Sequence, residues 1–177
     1  IYFVNDKVIK FFADKKSVTD RVKRSRIKPN IFPKVTGRGE QFFSYPFFKG
    51  GTFYTEGNYQ LFEILLKWLD NNLWDNQDVE PKKMEKLCEK FYKEKTLKRF
   101  EMFNALYPNY NFPEKINGVV VTPLPELLNQ IPWKKLYGGI PSFIHGDLQF
   151  DNILISQDSE DFMLIDWRQD FANESEF

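Results

Sequence analysis

The sequence of 177 residues has only one cysteine and one histidine. It carries no net charge at pH 7 and lacks a long apolar run. A single cysteine, Cys88, cannot form an internal disulfide, and Cys88 with His145 is too small a set for a Cys/His zinc site. No apolar run reaches the roughly 18 residues that a membrane-spanning helix needs, and no signal-peptide pattern opens the chain. We therefore expect a soluble protein without membrane insertion, in a reducing compartment such as the cytoplasm.

The charges cancel overall but are unevenly distributed. The chain has 25 basic and 25 acidic residues, so it lacks the basic excess that a general nucleic-acid binder needs. The first 40 residues hold 11 Lys/Arg and 4 Asp/Glu, whereas the segment from Pro141 onward holds nine acids and Arg168 as its one base. This split is typical of a solvated surface, or of acids that bind metal and bases that face phosphate.

The amino-terminal part is predicted to be rich in strands. Two β-rich runs surround the dipeptide Asn5-Asp6, which predicts a hairpin with a two-residue turn. A basic helix is predicted from Ser17 to Lys28, with Ser17 as its cap and Pro29 as its stop. An aromatic strand over residues 41–48 follows.

The rest of the chain is predicted to be mainly helical. Leucines, tryptophans and other apolar residues recur at helical spacing over 58–74 and over 84–92. A connector rich in Pro and Gly near residues 46–51 separates this part from the strand-rich part. We therefore expect an α+β protein of two parts with a cleft between them.

The carboxyl-terminal part is predicted to end in an antiparallel hairpin. Apolar runs at 153–155 and 162–165 flank a polar, acidic stretch, which predicts a turn centred near Ser159. Symmetry about Ser159 places Ile155 opposite Met163 and Asn152 opposite Asp166.

The open end of this hairpin would carry oxygen ligands. Asn152 and Asp166 side by side could share one hard cation such as Mg²⁺. Asp147 precedes Asn152 by five residues and adds a third oxygen-bearing side chain. Phosphoryl transfer uses such a set, because a metal stabilises charge on phosphate oxygens while a carboxylate orients the acceptor hydroxyl. We expect His145 to tie down the loop rather than act as a general base.

At these residues the sequence resembles the aminoglycoside phosphotransferase and choline kinase superfamily, which shares the protein kinase-like fold. Its catalytic loop is similar to residues 145–154 (HGDLQFDNIL), and its metal-binding element is similar to residues 164–167 (LIDW). The resemblance implies a partial two-lobed α+β fold, with a piece of the amino-terminal lobe at 1–46, a hinge at 47–51 and a piece of the carboxyl-terminal lobe at 52–177.

The resemblance also implies roles for individual residues. Asp147 would be the catalytic base, His145 the organiser of the loop, and Asn152 and Asp166 the magnesium ligands. The nucleotide would contact Lys10 through its α- and β-phosphates, and its adenine would lie among Val8, the backbone of Tyr45 to Phe47, Leu154 and Ile165.

The function implied is an ATP-dependent, magnesium-requiring kinase that phosphorylates a hydroxyl of a small molecule. The run 166–171 (DWRQDF) resembles a subgroup associated with bacterial sugar or surface-polysaccharide kinases, although choline, ethanolamine or an aminoglycoside would also fit. Gly146 and the lack of an Asp-Phe-Gly element disfavour a protein kinase.

An alternative is a pseudokinase or nucleotide-binding scaffold. The segment from Ser17 to Lys28 offers no Glu to pair with Lys10, only Asp20. The glycine-rich phosphate loop and the terminal helices of the family are also missing, so the sequence matches the middle of the fold. ATP cannot be distinguished from GTP here, and no oligomeric state is predicted.

Overall fold

The computed structural model describes residues 1–156 and 161–174, and it is a mixed α+β structure with small antiparallel sheets. The chain forms two compact units, one of Ile1–Gln77 with Pro141–Phe177 and one of Asp78–Ile140. The segment 47–51, predicted to be a hinge, lies within the first unit.

The described residues form nine short strands and six α-helices. The strands are β1 (Tyr2–Val4), β2 (Lys7–Phe11), β3 (Gly37–Arg38), β4 (Phe42–Pro46), β5 (Gly50–Thr52), β6 (Lys115–Ile116), β7 (Val119–Val120), β8 (Ile153–Ser156) and β9 (Phe162–Leu164). The α-helices are α1 (Lys15–Ser25), α2 (Phe53–Glu56), α3 (Tyr59–Asn72), α4 (Pro81–Cys88), α5 (Lys95–Leu106) and α6 (Leu124–Gln130).

The first sheet is antiparallel with the order β1-β2-β4-β3. The predicted hairpin is confirmed, because Val4 pairs with Lys7 across the two-residue turn. Asn5 and Asp6 have φ angles of 48° and 56°, the left-handed values that such a turn requires at both central positions.

The basic helix is confirmed, but both its ends differ from the prediction. It begins at Lys15, and the carboxylate of Asp14 caps it by accepting from the backbone N–H groups of Lys16 and Ser17 at 3.0 Å. An acid suits this end, because the helix dipole is positive there. The predicted cap, Ser17, instead lies in the first turn and donates its hydroxyl to Asp14. The helix stops at Ser25, before the predicted end.

The second sheet has the order β5-β8-β9 and contains the predicted carboxyl-terminal hairpin. The predicted register is wrong by one residue, because Ile155 pairs with Phe162 rather than with Met163. Asn152 therefore lies opposite Ile165, whose N–H donates to the Asn152 carbonyl at 2.9 Å, and Asp166 is the next residue along.

The length of the connecting loop accounts for the shift in register. Ser156 N donates to the carbonyl of Asp161 at 3.1 Å. Four residues of the sequence lie between these two hydrogen-bonded residues. An even number places the symmetry axis between two residues rather than on one. The predicted centre, Ser159, lies outside the described residues.

A buried tryptophan connects the first sheet, α1 and the segment after β9. Trp167 is 1% exposed, and its ring centroid lies 4.9 Å from that of Phe32 and 5.7 Å from that of Phe43. Its indole N–H donates to the backbone carbonyl of Arg21 in α1 at 2.9 Å. The residue that follows Asp166 is thus fixed by aromatic packing and by a buried hydrogen bond.

Helices dominate the second unit. A π-helical stretch at Glu89–Glu94 joins α4 to α5, and β6 pairs with β7 as a short hairpin. In the first unit, the predicted helix over 58–74 is confirmed as α3, capped by Asn58. None of the helices in residues 1–156 and 161–174 combines the length and apolarity needed to cross a membrane.

Replacing Trp167 by Phe should lower the free energy of unfolding by about 2–3 kcal/mol, because it leaves a gap in the core and removes the hydrogen bond to Arg21. Urea denaturation followed by circular dichroism measures the change. The matched control is Trp74→Phe at a position 37% exposed, which should alter stability by no more than about 0.5 kcal/mol. Equal effects at both positions would contradict the role given to Trp167.

Candidate active site

A cavity of about 270 Å³ lies within the first unit. This volume is near the lower end of the roughly 300–1,000 Å³ typical of ligand pockets. The cavity brings together all six residues predicted to bind nucleotide and one predicted magnesium ligand. Its lining is formed by Ile1, Phe3, Val8, Lys10, Tyr45, Phe47, Phe48, Gly50, Thr52, Leu154, Ile165 and Asp166.

The walls of this cavity are mainly apolar and come from both sheets. Val8 and Tyr45 are paired residues of β2 and β4, whereas Leu154 lies on β8 and Ile165 follows β9. Strand alternation explains why Val8 and Lys10 are both buried, since residues two apart share one face. The arrangement offers apolar surfaces from two sheets to a planar ring system.

The backbone groups of Tyr45 to Phe47, predicted to contact adenine, are partly engaged by neighbouring backbone. The Phe47 N–H donates to the carbonyl of Asp6 at 2.7 Å, so it already has a partner. Tyr45 lies within the β2–β4 ladder. Phe47 nevertheless lines the cavity, where its side chain adds to the apolar surface.

The polar end of the cavity is an ion pair between Lys10 and Asp166. Lys10 is 4% exposed, and burial lowers the pKa of its ammonium group while the hydrogen bond and charge of Asp166 oppose that shift. The pair sets a positive and a negative group against otherwise apolar walls. Asp166 also has a φ of 62°, a left-handed backbone conformation that few non-glycine residues adopt.

Asp20, the acid of α1, pairs with Lys16 one turn earlier in the same helix at 2.5 Å and does not contact Lys10. The acid that pairs with Lys10 is Asp166.

His145 joins the catalytic-type loop to the segment after β9. Its Nε2 lies 2.8 Å from the carbonyl oxygen of Ile165, and its Nδ1 accepts from the Asp147 N–H at 3.3 Å. Because Nδ1 is an acceptor, the proton resides on Nε2. Burial lowers the pKa of His145 to about 4, so the ring is neutral near pH 7. This geometry supports the predicted organising role, since both ring nitrogens are engaged with the backbone.

Asp147 and Asn152 lie outside the cavity lining but are held close together. The Asn152 side-chain Nδ2 donates to the Asp147 carbonyl at 2.8 Å, which directs the amide nitrogen towards the loop. The carboxylate of Asp147 is 38% exposed and accepts from Arg168 Nη2 at 2.9 Å.

The donor set fits magnesium only if a nucleotide is bound as well. Within the described part of the chain, no three His, Cys, Asp or Glu side chains cluster as a metal site. Magnesium in nucleotide enzymes typically takes one or two protein ligands, with phosphate oxygens and water completing the octahedron. Asn152 lies opposite Ile165, the neighbour of Asp166, and the two side chains would offer an amide oxygen and a carboxylate to such a site.

Two arginines of α1 support this region, although no sequence motif indicates them. Arg21 donates to the carbonyl of Trp167, and Arg24 donates to the carbonyl of Ile144. Arg24 is fully buried, and burial lowers the pKa of its guanidinium to about 10. Their three-residue spacing, beside the apolar Val18 and Val22, is the signal that could have placed them on the inner face of the helix.

Comparison with protein-family models, curated proteins and solved structures finds no significant match to this chain.

The burial of His145 has a consequence for stability at low pH. Its folded pKa of about 4 lies below the ordinary histidine pKa of 6.5, so the unfolded chain binds a proton first and stability falls as the pH drops from 6.5 to 4. The full loss is on the order of 3 kcal/mol. Urea denaturation across this range should show a steeper fall for the unmodified chain than for His145→Gln. Parallel pH profiles would contradict a buried, neutral histidine.

Proposed function

We propose that this chain contains the nucleotide-binding and catalytic residues of an ATP-dependent, magnesium-requiring phosphotransferase that acts on a hydroxyl of a small molecule. The observation that carries the proposal is the ion pair between the buried Lys10 and the partly exposed Asp166 at the polar end of an apolar cavity. The apolar walls suit a purine base. The cation and the carboxylate at one end suit the phosphates and the magnesium ion that accompany it.

The cavity residues account for nucleotide binding. The adenine ring lies among Val8, Leu154 and Ile165, and burial there removes its faces from water. Lys10 binds the α- and β-phosphates. Asp166 and Asn152 would hold magnesium, which would supply positive charge to the phosphate oxygens.

The loop residues account for phosphoryl transfer. Asp147 accepts a hydrogen bond from the acceptor hydroxyl and takes its proton. A bond forms between the acceptor oxygen and the γ-phosphorus as the bond from that phosphorus to ADP breaks. His145 holds the Asp147 backbone, and Asn152 holds its carbonyl, so the carboxylate has a defined direction.

The resemblance of residues 145–154 and 164–167 to the aminoglycoside phosphotransferase and choline kinase superfamily agrees with this function. We infer a partial protein kinase-like fold, with β2 and β4 of the nucleotide-binding lobe and the β8–β9 hairpin of the catalytic lobe. A sugar or polysaccharide precursor is the favoured acceptor, and an ATP-dependent enzyme of this kind would act in the cytoplasm.

A nucleotide-binding scaffold is the second candidate. It is favoured by α1, which contributes no acid to Lys10 and instead presents Arg21 and Arg24 to the site. A scaffold would bind MgATP without turning it over, so binding and turnover have to be measured on the same preparation.

The two loop acids should be essential for turnover. Asp147→Asn and Asp166→Asn should each reduce magnesium-dependent ADP release by at least about 100-fold, the scale expected when a general base or a metal ligand is lost. Release is measured with a panel of sugars, amino alcohols and aminoglycosides as acceptors. The control is Asp151→Asn, an exposed acid of the same loop, which should leave the rate within about twofold. Undiminished turnover in both test variants would refute the assignment.

Lys10→Met should raise the ATP concentration needed for half-maximal binding by about tenfold or more while the fold is retained. Methionine has a similar length and tolerates burial, but it cannot contact phosphate. Calorimetric titration with MgATP measures the change. Lys7→Met, at an exposed position of the same strand, should bind as the unmodified chain does. A large loss of stability with unchanged ATP affinity would instead make Lys10 a structural residue.

A further inference from the structure

We infer that Arg168 is a catalytic residue that contacts the transferred phosphoryl group, an inference that rests on the proposed phosphotransferase function. Arg168 Nη2 lies 2.9 Å from Asp147 Oδ2, and the arginine side chain is 52% exposed. One guanidinium N–H group is thus committed to the carboxylate, and an arginine side chain has five.

Phosphoryl transfer needs a positive charge beside the transferred phosphoryl group. Negative charge in the transition state is spread over the three non-bridging oxygens of the transferred group. The loop from Asp147 to Asn152 contains no Lys or Arg. Lys10 is paired with Asp166, and Arg21 is buried with one amino group on the Trp167 carbonyl. Arg168 is therefore the accessible cation that the structure places against Asp147.

The backbone and the first side-chain carbons of Arg168 lie against the loop. Its N–H donates to the His145 carbonyl at 2.9 Å. Gly146 has a φ of +83°, and a Cβ on it would lie 2.7 Å from Arg168 Cβ and 2.8 Å from Cγ. The absence of a side chain at Gly146 thus leaves room for the stem of Arg168 to cross the loop.

Distances bring the guanidinium within reach of the reacting groups. An acceptor hydroxyl that is hydrogen-bonded to Asp147 has its oxygen roughly 3 Å from the carboxylate. The γ-phosphorus that it attacks lies roughly 3–3.5 Å from that oxygen. Arg168 starts 2.9 Å from the same carboxylate. A change of side-chain rotamer would let its planar guanidinium group bind two oxygens of the phosphoryl group. Arg168 keeps all its protons during transfer, because the acceptor proton passes to Asp147.

Calorimetric titration of the full chain with MgADP, with and without aluminium fluoride, tests this inference without an acceptor. Aluminium fluoride mimics the transferred phosphoryl group, so it should tighten MgADP binding to the unmodified chain by at least tenfold. Arg168→Gln should bind MgADP within twofold of the unmodified chain but lose this increment. Arg168→Lys should retain part of it, because it keeps the charge without the fork. Arg26→Gln, an exposed arginine after α1, should retain all of it.

The outcomes separate this inference from the function on which it rests. Failure of the unmodified chain to bind MgADP refutes the phosphotransferase. Binding of MgADP with no fluoride increment, or with the full increment in Arg168→Gln, overturns the role of Arg168 alone. Thermal denaturation of each variant checks folding, and the Lys variant provides the test if the Gln variant does not fold.

Discussion

The ion pair between the buried Lys10 and the partly exposed Asp166 is the interaction on which the rest of the site depends. A lysine that is 4% exposed needs a compensating partner, because an unpaired charge in an apolar environment is strongly destabilising. Within residues 1–156 and 161–174, its ammonium group pairs with the Asp166 carboxylate and lies 5.9 Å from the centroid of the Tyr45 ring. The pair joins β2 of the first sheet to the segment after β9 of the second sheet. The two sheets that form the cavity walls are therefore joined by the same two charged groups that we propose bind phosphate and magnesium.

The segments on either side of Asp166 are fixed by different forces. On one side, the Ile165 carbonyl is bound by His145, and on the other side Trp167 is buried among aromatic rings. Helix α1 contributes Arg21 and Arg24 to the backbone carbonyls of Trp167 and Ile144. Cations of the helix therefore hold these two segments, while Lys10 pairs with Asp166 rather than with an acid of the helix.

Local rules predict the features that depend on neighbouring residues. The Asn5-Asp6 turn follows from turn chemistry, and the inward direction of Lys10 follows from strand alternation. Features that depend on tertiary structure could not be predicted in this way. The register opposite Asn152 depends on whether the loop has an odd or even number of residues, and the burial of Arg24 depends on what packs against α1. The partner of Lys10 lies 156 residues away in sequence, beyond the reach of any local pattern.

The most direct test of the central claim is a crystal structure of this chain with magnesium and a non-hydrolysable ATP analogue. We expect the base between Val8 and Leu154, the phosphates beside Lys10, and the metal bound to Asp166 and Asn152. We also expect the Lys10–Asp166 pair to open or lengthen as phosphate and metal compete for its two members. An analogue bound elsewhere, or a cavity still empty at saturating concentrations of the analogue, would contradict this claim.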